Sequence, residues 1–164
     1  MIIDCSVQAG DWSAFGDLND LAGRAIATAC DIAAPGLAHD TELSLLFADD
    51  ALVRRLNRDY RGIDKATNVL SFPQSAGLDD VAGPLLGDIA LAQETVLCEA
   101  LADGKKPADH LTHLIVHGLL HLLGYDHESD EEAETMEQLE RRILHLLSIA
   151  DPYEDAASGG VDAA

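Results

Sequence analysis

The sequence predicts a single α+β domain in which helices cover a small sheet of about four strands. Two observations support this. Short apolar, β-branched runs alternate with longer segments whose apolar residues recur every three or four positions. The chain of 164 residues, 48% of them hydrophobic, is long enough for one core and too short to expect two. We therefore expect residues 1–153 to form one domain, and residues 154–164 to form a disordered acidic tail with too little apolar bulk to order itself.

The strands and helices are predicted from periodicity, caps and turn residues. Strands are expected at residues 2–7, 42–47, 67–72 and 87–92, with a Gly/Pro/Asp loop over 74–86. Five helices are expected. The first runs from Leu18 to a stop at Pro35-Gly36, and the second is capped by Asp49 or Asp50 and ends near Gly62. The third runs from about Thr95 to Asp103, the fourth from Pro107 to about Leu123, and the fifth is opened by a capping box at Ser129 and Glu132.

The last two helices differ in character. The helix that begins at Pro107 is apolar nearly all round, which predicts that it is buried. The final helix has an apolar stripe at Met136, Leu139, Ile143 and Leu147. We expect the seven acidic residues from Glu128 to Glu140 to form its solvated face.

Composition limits the cellular setting. The first residues have no basic segment followed by an apolar one, and no apolar run reaches the length of a membrane span, so we expect a cytoplasmic protein with no membrane partner. Three cysteines, Cys5, Cys30 and Cys98, are an odd number without a close pair. This favours buried free thiols without a functional role.

Four of the seven histidines lie between residues 113 and 127. His117 and His121 are four apart and share one face of the predicted helix, so both imidazoles can reach one cation. His113 is two turns from His121, about 12 Å along the axis, which is too far to share the ion. Gly124 can turn the chain back after the helix and deliver His127 as a third ligand.

The pattern H-x3-H-x5-H favours one zinc ion per chain with a fourth position open for water. A structural zinc site usually has four protein ligands and often cysteines, and only three ligands are found here. His110 and His113 are expected to be neighbours of the site on the helix or, at most, to support its ligands without binding the ion, and His39 and His145 to have no chemical role.

The spacing is also that of metzincin metalloproteases, H-E-x-x-H-x-x-G-x-x-H. In those enzymes the Glu after the first His is the general base. This chain has Gly118 at that position, which argues against a peptidase.

The formal net charge of −20 would ordinarily oppose binding to a polyanion. Five of the ten basic residues nevertheless fall within twelve positions, namely Arg54, Arg55, Arg58, Arg61 and Lys65. They can form a local positive patch, or simply the solvated face of a helix.

These residues suggest phosphodiester chemistry. Zinc held by three neutral imidazoles lowers the pKa of a bound water to about 7 and acts as a Lewis acid on a phosphoryl oxygen. Arg61 can offer a planar fork to phosphate oxygens and stabilise transition-state charge, or it can form a structural ion pair. Asp88 and Asp126 are candidates for proton transfer, and we favour Asp126 as a hydrogen-bond acceptor for a zinc-bound histidine.

Three blocks of sequence resemble the YbeY family of bacterial zinc-dependent endoribonucleases, which are also rRNA maturation factors. They are His117-Gly-x-x-His121-Leu-x-Gly-Tyr-Asp-His127, the segment from Leu56 to Pro73 with Tyr60-Arg61-Gly and Thr67-Asn-Val-Leu-Ser-Phe-Pro73, and Leu86-Gly-Asp88-Ile. The resemblance extends from the first strand to Tyr153.

The resemblance implies a small, mostly parallel mixed sheet and a zinc cleft beside it. It implies a single-strand-specific endoribonuclease that acts in maturation of the 16S rRNA 3′ end and in ribosome quality control. It places the zinc ligands on His117, His121 and His127 and the functional arginine on Arg61. The expected partners are single-stranded rRNA and the ribosome or its small-subunit proteins, and no DNA is expected.

The alternative is a non-catalytic ribosome-assembly factor in which zinc stabilises the fold and the basic helix docks rRNA or a ribosomal protein. The acidic overall charge favours action on a ribosome, where a partner supplies the affinity for RNA.

Overall fold

A computed structural model of the protein describes residues 1–74 and 85–153. These residues form four strands and five α-helices, with a short 3₁₀ turn at Ser13–Phe15: β1 (Ile2–Val7), α1 (Leu18–Ala33), β2 (Glu42–Ala48), α2 (Asp50–Arg61), β3 (Val69–Pro73), β4 (Leu85–Ala92), α3 (Gln93–Ala102), α4 (Pro107–Leu122) and α5 (Asp130–Leu146). The predicted α+β class and element order are confirmed. The predicted tail, 154–164, lies outside the described residues, as does most of the predicted loop over 74–86. β4 begins within that loop, at Leu85.

The four strands form one mixed sheet in the order β1-β2-β4-β3. β1, β2 and β4 run parallel, and β3 pairs antiparallel with β4. The expectation of a mostly parallel mixed sheet is therefore confirmed. β3 lies at one edge of the sheet, where it is available to both the helices and a ligand.

Alternation along β4 separates two apolar clusters. Ile89 and Leu91 join the large core with α1, α4 and α5, whereas Ala90 and Ala92 join a smaller cluster under α2. This follows because successive side chains of a strand point to opposite faces. Helices accordingly cover both faces of the sheet.

Helix α4 is the central helix of the large core. Its Leu111, Ile115 and Leu119 are fully buried, as its apolar sequence predicts. It packs against α1, α3 and α5 and against β3. These contacts fix its C-terminal end beside the edge of the sheet.

The helix starts follow local capping chemistry. The Asp49 carboxylate accepts a hydrogen bond from the Leu52 N–H, which makes Asp49 the N-cap of α2. The Ser129 hydroxyl accepts one from the Glu132 N–H at the start of α5. Both starts agree with the prediction.

Two burial predictions were wrong. Cys5 and Cys30 are free and partly buried, but the free Cys98 is exposed. Glu140 was predicted on the solvated face of α5, yet it is only 1% exposed.

Of the helices within the described residues, none is both long and apolar enough to span a bilayer.

Candidate metal centre

Three imidazoles converge where α4 meets the following loop. The ligand nitrogens of His117, His121 and His127 all lie within 4.8 Å of one another. The Nε2 atoms of His117 and His121 are 3.1 Å apart. Two nitrogens held tetrahedrally at about 2.1 Å from one ion lie about 3.4 Å apart, so this pair fits a shared metal ion.

The turn after α4 brings the third histidine into place. Gly124 has a φ of +104°, a conformation that side chains strongly disfavour. The Tyr125 N–H then donates to the Leu120 carbonyl at 3.0 Å, which closes the turn and sends His127 back towards the helix. The predicted left-handed turn at Gly124 is observed, one residue beyond Leu123, the C-cap residue of α4.

The histidines line one open cleft with Arg61. The cleft has a volume of about 520 Å³, and its wall includes Asn68 and Ser71 as well as the three histidines. His127 is exposed, and His117 and His121 are half-buried. An ion on these nitrogens would therefore face a space that a substrate can enter.

Electrostatics favour the neutral form of His121. Burial lowers the pKa of its imidazole, and the neighbouring rings of His117 and His127 lower it further, while Asp126 partly opposes the shift. Neutral imidazole is the form that binds a metal ion, because its free nitrogen carries a lone pair.

Glu140 contacts the candidate metal centre from the buried side. One of its carboxylate oxygens lies 2.6 Å from His113 Nε2 and 3.3 Å from His117 Nδ1. The Tyr153 hydroxyl donates to the same carboxylate, at 3.1 and 3.2 Å from its two oxygens. Burial alone would raise the pKa of Glu140, but the hydrogen bonds from His113 and His117 and the charge of those rings lower it to about 2.

Sequence reasoning missed Glu140, although a signal existed. It lies four residues after Met136 and three and four before Ile143 and Leu144, which are all buried. An acidic residue at helical spacing within an apolar stripe faces the core, where a charge requires partners. Acidic residues also occur in the preceding turns of the helix, so the sequence pattern assigns Glu140 to the same exposed face.

Arg61 is the last residue of α2 and reaches the edge of the sheet. Its guanidinium donates to the Ser71 carbonyl and lies over the Phe72 ring, 5.4 Å from the centroid. The Ser71 hydroxyl in turn donates to the Gly118 carbonyl at 3.1 Å. Two hydrogen bonds thus join Arg61 to the helix that carries His117 and His121.

Gly118 faces the sheet. A Cβ at this position would lie 3.1 Å from both Ile89 Cγ2 and Ser71 Oγ. These contacts are tighter than usual, so Ile89, Ser71 or α4 would have to shift to admit a glutamate at this position. The close packing favours glycine where the protease spacing has its general base.

The basic patch is partly neutralised. Arg54 pairs with Asp64 at 2.7 Å, and Arg58 pairs with Asp59 at 3.1 Å. These contacts agree with the alternative that most of the cluster is a solvated helix face. Arg61 differs from Arg54 and Arg58 because it lines the cleft.

The two aspartates proposed for proton transfer occupy different places. Asp126 lines the cleft, but its carboxylate accepts from the His127 backbone N–H at 2.7 Å. The structure shows no hydrogen bond between Asp126 and a ligand imidazole within the described residues, and the carboxylate that contacts His117 is that of Glu140. Asp88 lines a groove with Tyr60 and Phe72, away from the three histidines.

His110 belongs to a separate network beside the cleft. Its Nε2 lies 2.9 Å from Glu99, whose carboxylate also accepts from the Asn68 amide at 3.0 Å. His110 is therefore engaged away from the three converging nitrogens, in line with its prediction as a neighbour of the site.

The chain resembles known proteins over most of its length. The Endoribonuclease YbeY family profile matches residues 16–148. An Endoribonuclease YbeY of Azorhizobium caulinodans is 48% identical over 159 residues, covering 97% of this chain and 100% of that protein. The Endoribonuclease YbeY of Rhizobium meliloti is 51% identical over 160 residues, covering 93% of this chain and 95% of that protein.

The fold is also similar to a solved structure. The solution structure of a protein from Thermotoga maritima matches with a TM-score of 0.55 and 24% identity, covering 96% of this chain and 99% of that one. At this identity the likeness shows the fold alone. The family profile and the two near-full-length relatives show that the chain belongs to the Endoribonuclease YbeY family.

Proposed function

We propose that this protein is a zinc-dependent endoribonuclease that cleaves single-stranded RNA, with one zinc ion held by His117, His121 and His127. The observation that carries the proposal is the convergence of three imidazole nitrogens, within 4.8 Å of one another, in a cleft that Arg61 also lines. Membership of an endoribonuclease family supports RNA as the substrate. Three neutral nitrogen ligands and an accessible fourth position suit a catalytic zinc.

The zinc ion, when bound, would supply positive charge for a phosphoryl oxygen and lower the pKa of water at the site. The residues of the chain perform the remaining tasks. Arg61 binds the non-bridging oxygens of the scissile phosphate and stabilises the charge that develops in the transition state. The Ser71 carbonyl and the Phe72 ring orient the guanidinium before substrate arrives.

We further propose that the substrate is precursor 16S rRNA near its 3′ end and that the protein acts in ribosome quality control. In this proposal it works in the cytoplasm, on the ribosome or with small-subunit proteins. The net charge of −20 and the paired state of Arg54 and Arg58 support a need for such partners. Counterion release from a few free cations gives little affinity for naked RNA at physiological salt. We expect no cleavage of DNA.

The decisive experiment compares His117→Ala with Arg61→Ala. We expect His117→Ala to lose zinc and cleavage together. Arg61→Ala should keep wild-type zinc content and lose about 10²- to 10³-fold in the cleavage rate of single-stranded RNA, since it removes one transition-state contact. Arg24→Ala is the matched control, because it removes one positive charge from an arginine exposed on α1.

Zinc content by metal analysis and cleavage of single-stranded and duplex RNA are the readouts. Cleavage that survives complete metal removal would refute the proposal. If purified protein holds zinc but cleaves no RNA, while Arg61→Ala weakens binding to ribosomal particles, the assembly-factor alternative is correct. Extension of the assay to precursor rRNA tests the 3′-end assignment.

A further inference from the structure

The strongest unassigned feature is the buried carboxylate of Glu140. At 1% exposure it is almost fully removed from water, yet it has no lysine or arginine partner within the described residues. Its partners are two histidines of α4 and one tyrosine. A buried carboxylate adds little to stability compared with an apolar residue of similar size, so its presence calls for a specific task.

The contact with His117 constrains the chemistry of that imidazole. An ionised carboxylate only accepts hydrogen bonds, so a ring nitrogen that bonds to it must carry the proton. His117 Nδ1 lies 3.3 Å from Glu140, which assigns the proton to Nδ1. In the neutral ring Nε2 then carries the lone pair, and Nε2 is the atom that lies 3.1 Å from His121 Nε2.

Two further groups hold the carboxylate in place. His113 Nε2 approaches Glu140 Oε1 to 2.6 Å, and the Tyr153 hydroxyl contacts both carboxylate oxygens. The Tyr153 ring is fixed in turn, with the Arg141 guanidinium 5.3 Å from its centroid and the His113 ring 5.8 Å away edge-on. The segment after α5 thereby covers Glu140.

We propose that Glu140 is the positioning residue of the metal centre, whose carboxylate holds His117 in the Nδ1-protonated tautomer with Nε2 facing the metal ion, while His113 and Tyr153 anchor the carboxylate. The inference rests on the proposed function, because it takes the three histidines as the metal ligands. It gives His113 the task of holding this carboxylate, and it makes the segment ending at Tyr153 part of the metal centre.

The test measures zinc affinity by competition with a chromophoric chelator. Glu140→Gln keeps the size of the side chain and removes its charge. We expect about 10- to 100-fold weaker zinc binding, because partners of ligand histidines contribute about that much affinity. Glu137→Gln is the matched control, since it removes a carboxylate one turn earlier on α5 that is 39% exposed and 3.9 Å from Arg141. We expect it to bind zinc as the wild type does.

A second readout is the tautomer itself. In ¹⁵N-labelled, zinc-loaded wild-type protein, imidazole nitrogen shifts should show His117 protonated at Nδ1 and bound through Nε2. Binding through Nδ1 would overturn the inference. So would zinc affinity of Glu140→Gln within about twofold of the Glu137→Gln control, since the expected effect is at least about tenfold.

Tyr153→Phe keeps the test decisive if Glu140→Gln does not fold. It removes one hydrogen bond to the carboxylate and keeps the ring, so we expect about two- to tenfold weaker zinc binding. Unchanged affinity in this variant would then overturn the inference. His117→Ala separates the two proposals: if it retains zinc, the ligand assignment fails, and if it loses zinc while Glu140→Gln does not, only the role of Glu140 fails.

Discussion

Replacing Gly118 with alanine tests how closely α4 packs on the sheet. The new methyl group would lie 3.1 Å from Ile89 Cγ2 and from Ser71 Oγ, and 3.3 Å from Ile89 Cδ1. Ile89 is fully buried and cannot swing into solvent. Added atoms in a well-packed core cost about 1–3 kcal/mol.

The same substitution also gains helical propensity, because alanine restricts the unfolded chain more than glycine does. That gain is about 0.5–1 kcal/mol. The net change for Gly118→Ala is therefore a loss of about 0–2.5 kcal/mol in the free energy of unfolding. Because His117 precedes Gly118, any outward shift of α4 also displaces a proposed metal ligand.

A matched glycine isolates the packing term. Gly23 is also inside a helix, and no atom lies within 4 Å of a Cβ built there. Gly23→Ala should raise the free energy of unfolding by about 0.5–1 kcal/mol. Urea unfolding monitored by circular dichroism, with chelator present to remove metal linkage, measures both variants. Equal stabilisation by the two substitutions would refute the close approach of α4 to β4 and β3.

Two further predictions concern stability. Leu119→Ala should lower the free energy of unfolding by about 2–5 kcal/mol, because Leu119 is fully buried in the large core. Leu101→Ala, at a side chain 67% exposed, should change the free energy of unfolding by less than about 0.5 kcal/mol, and similar losses in the two variants would contradict the core assignment. Burial raises the pKa of Glu99, but hydrogen bonds from His110 and Asn68 outweigh it and hold the folded-state pKa below the ordinary value of a glutamate. The stability that Glu99 supplies is therefore present above about pH 4.5 and lost as pH falls through the folded-state pKa. Glu99→Gln should show a smaller fall in melting temperature on acidification than the wild type, and identical acid profiles would count against these contacts.

Much of the fold was predictable because its signals are local. Helix starts at Asp49 and Ser129 follow from side chains that bond backbone groups three residues away. The strand at residues 2–7 was predicted with its observed bounds. The start of β4 was not predicted. Leu85 follows a stretch that contains Gly and Pro, and its pairing with β2 forms only in the assembled sheet.

The candidate metal site also combines features set by local sequence with contacts set by long-range packing. His117, His121 and His127 lie within eleven residues, and helix geometry with one glycine turn suffices to bring them together. Glu140 lies 23 residues from His117, and its contact depends on how α5 packs against α4. The carboxylate of Asp126, adjacent to the proposed ligand His127 in sequence, was the natural candidate, but the hydrogen bond it makes is to the backbone N–H of His127.

The amino-acid sequence alone determined the helices and the clustering of the three histidines, because both depend on contacts within a few turns of the chain. It also gave the argument against a peptidase, because that depends only on the identity of residue 118. Tertiary structure decided which carboxylate contacts His117, which arginine of the basic cluster reaches the cleft, and how closely α4 approaches the sheet at Gly118. Those outcomes depend on the distance between α4, α5 and β3, which is set by the packing of side chains far apart in sequence.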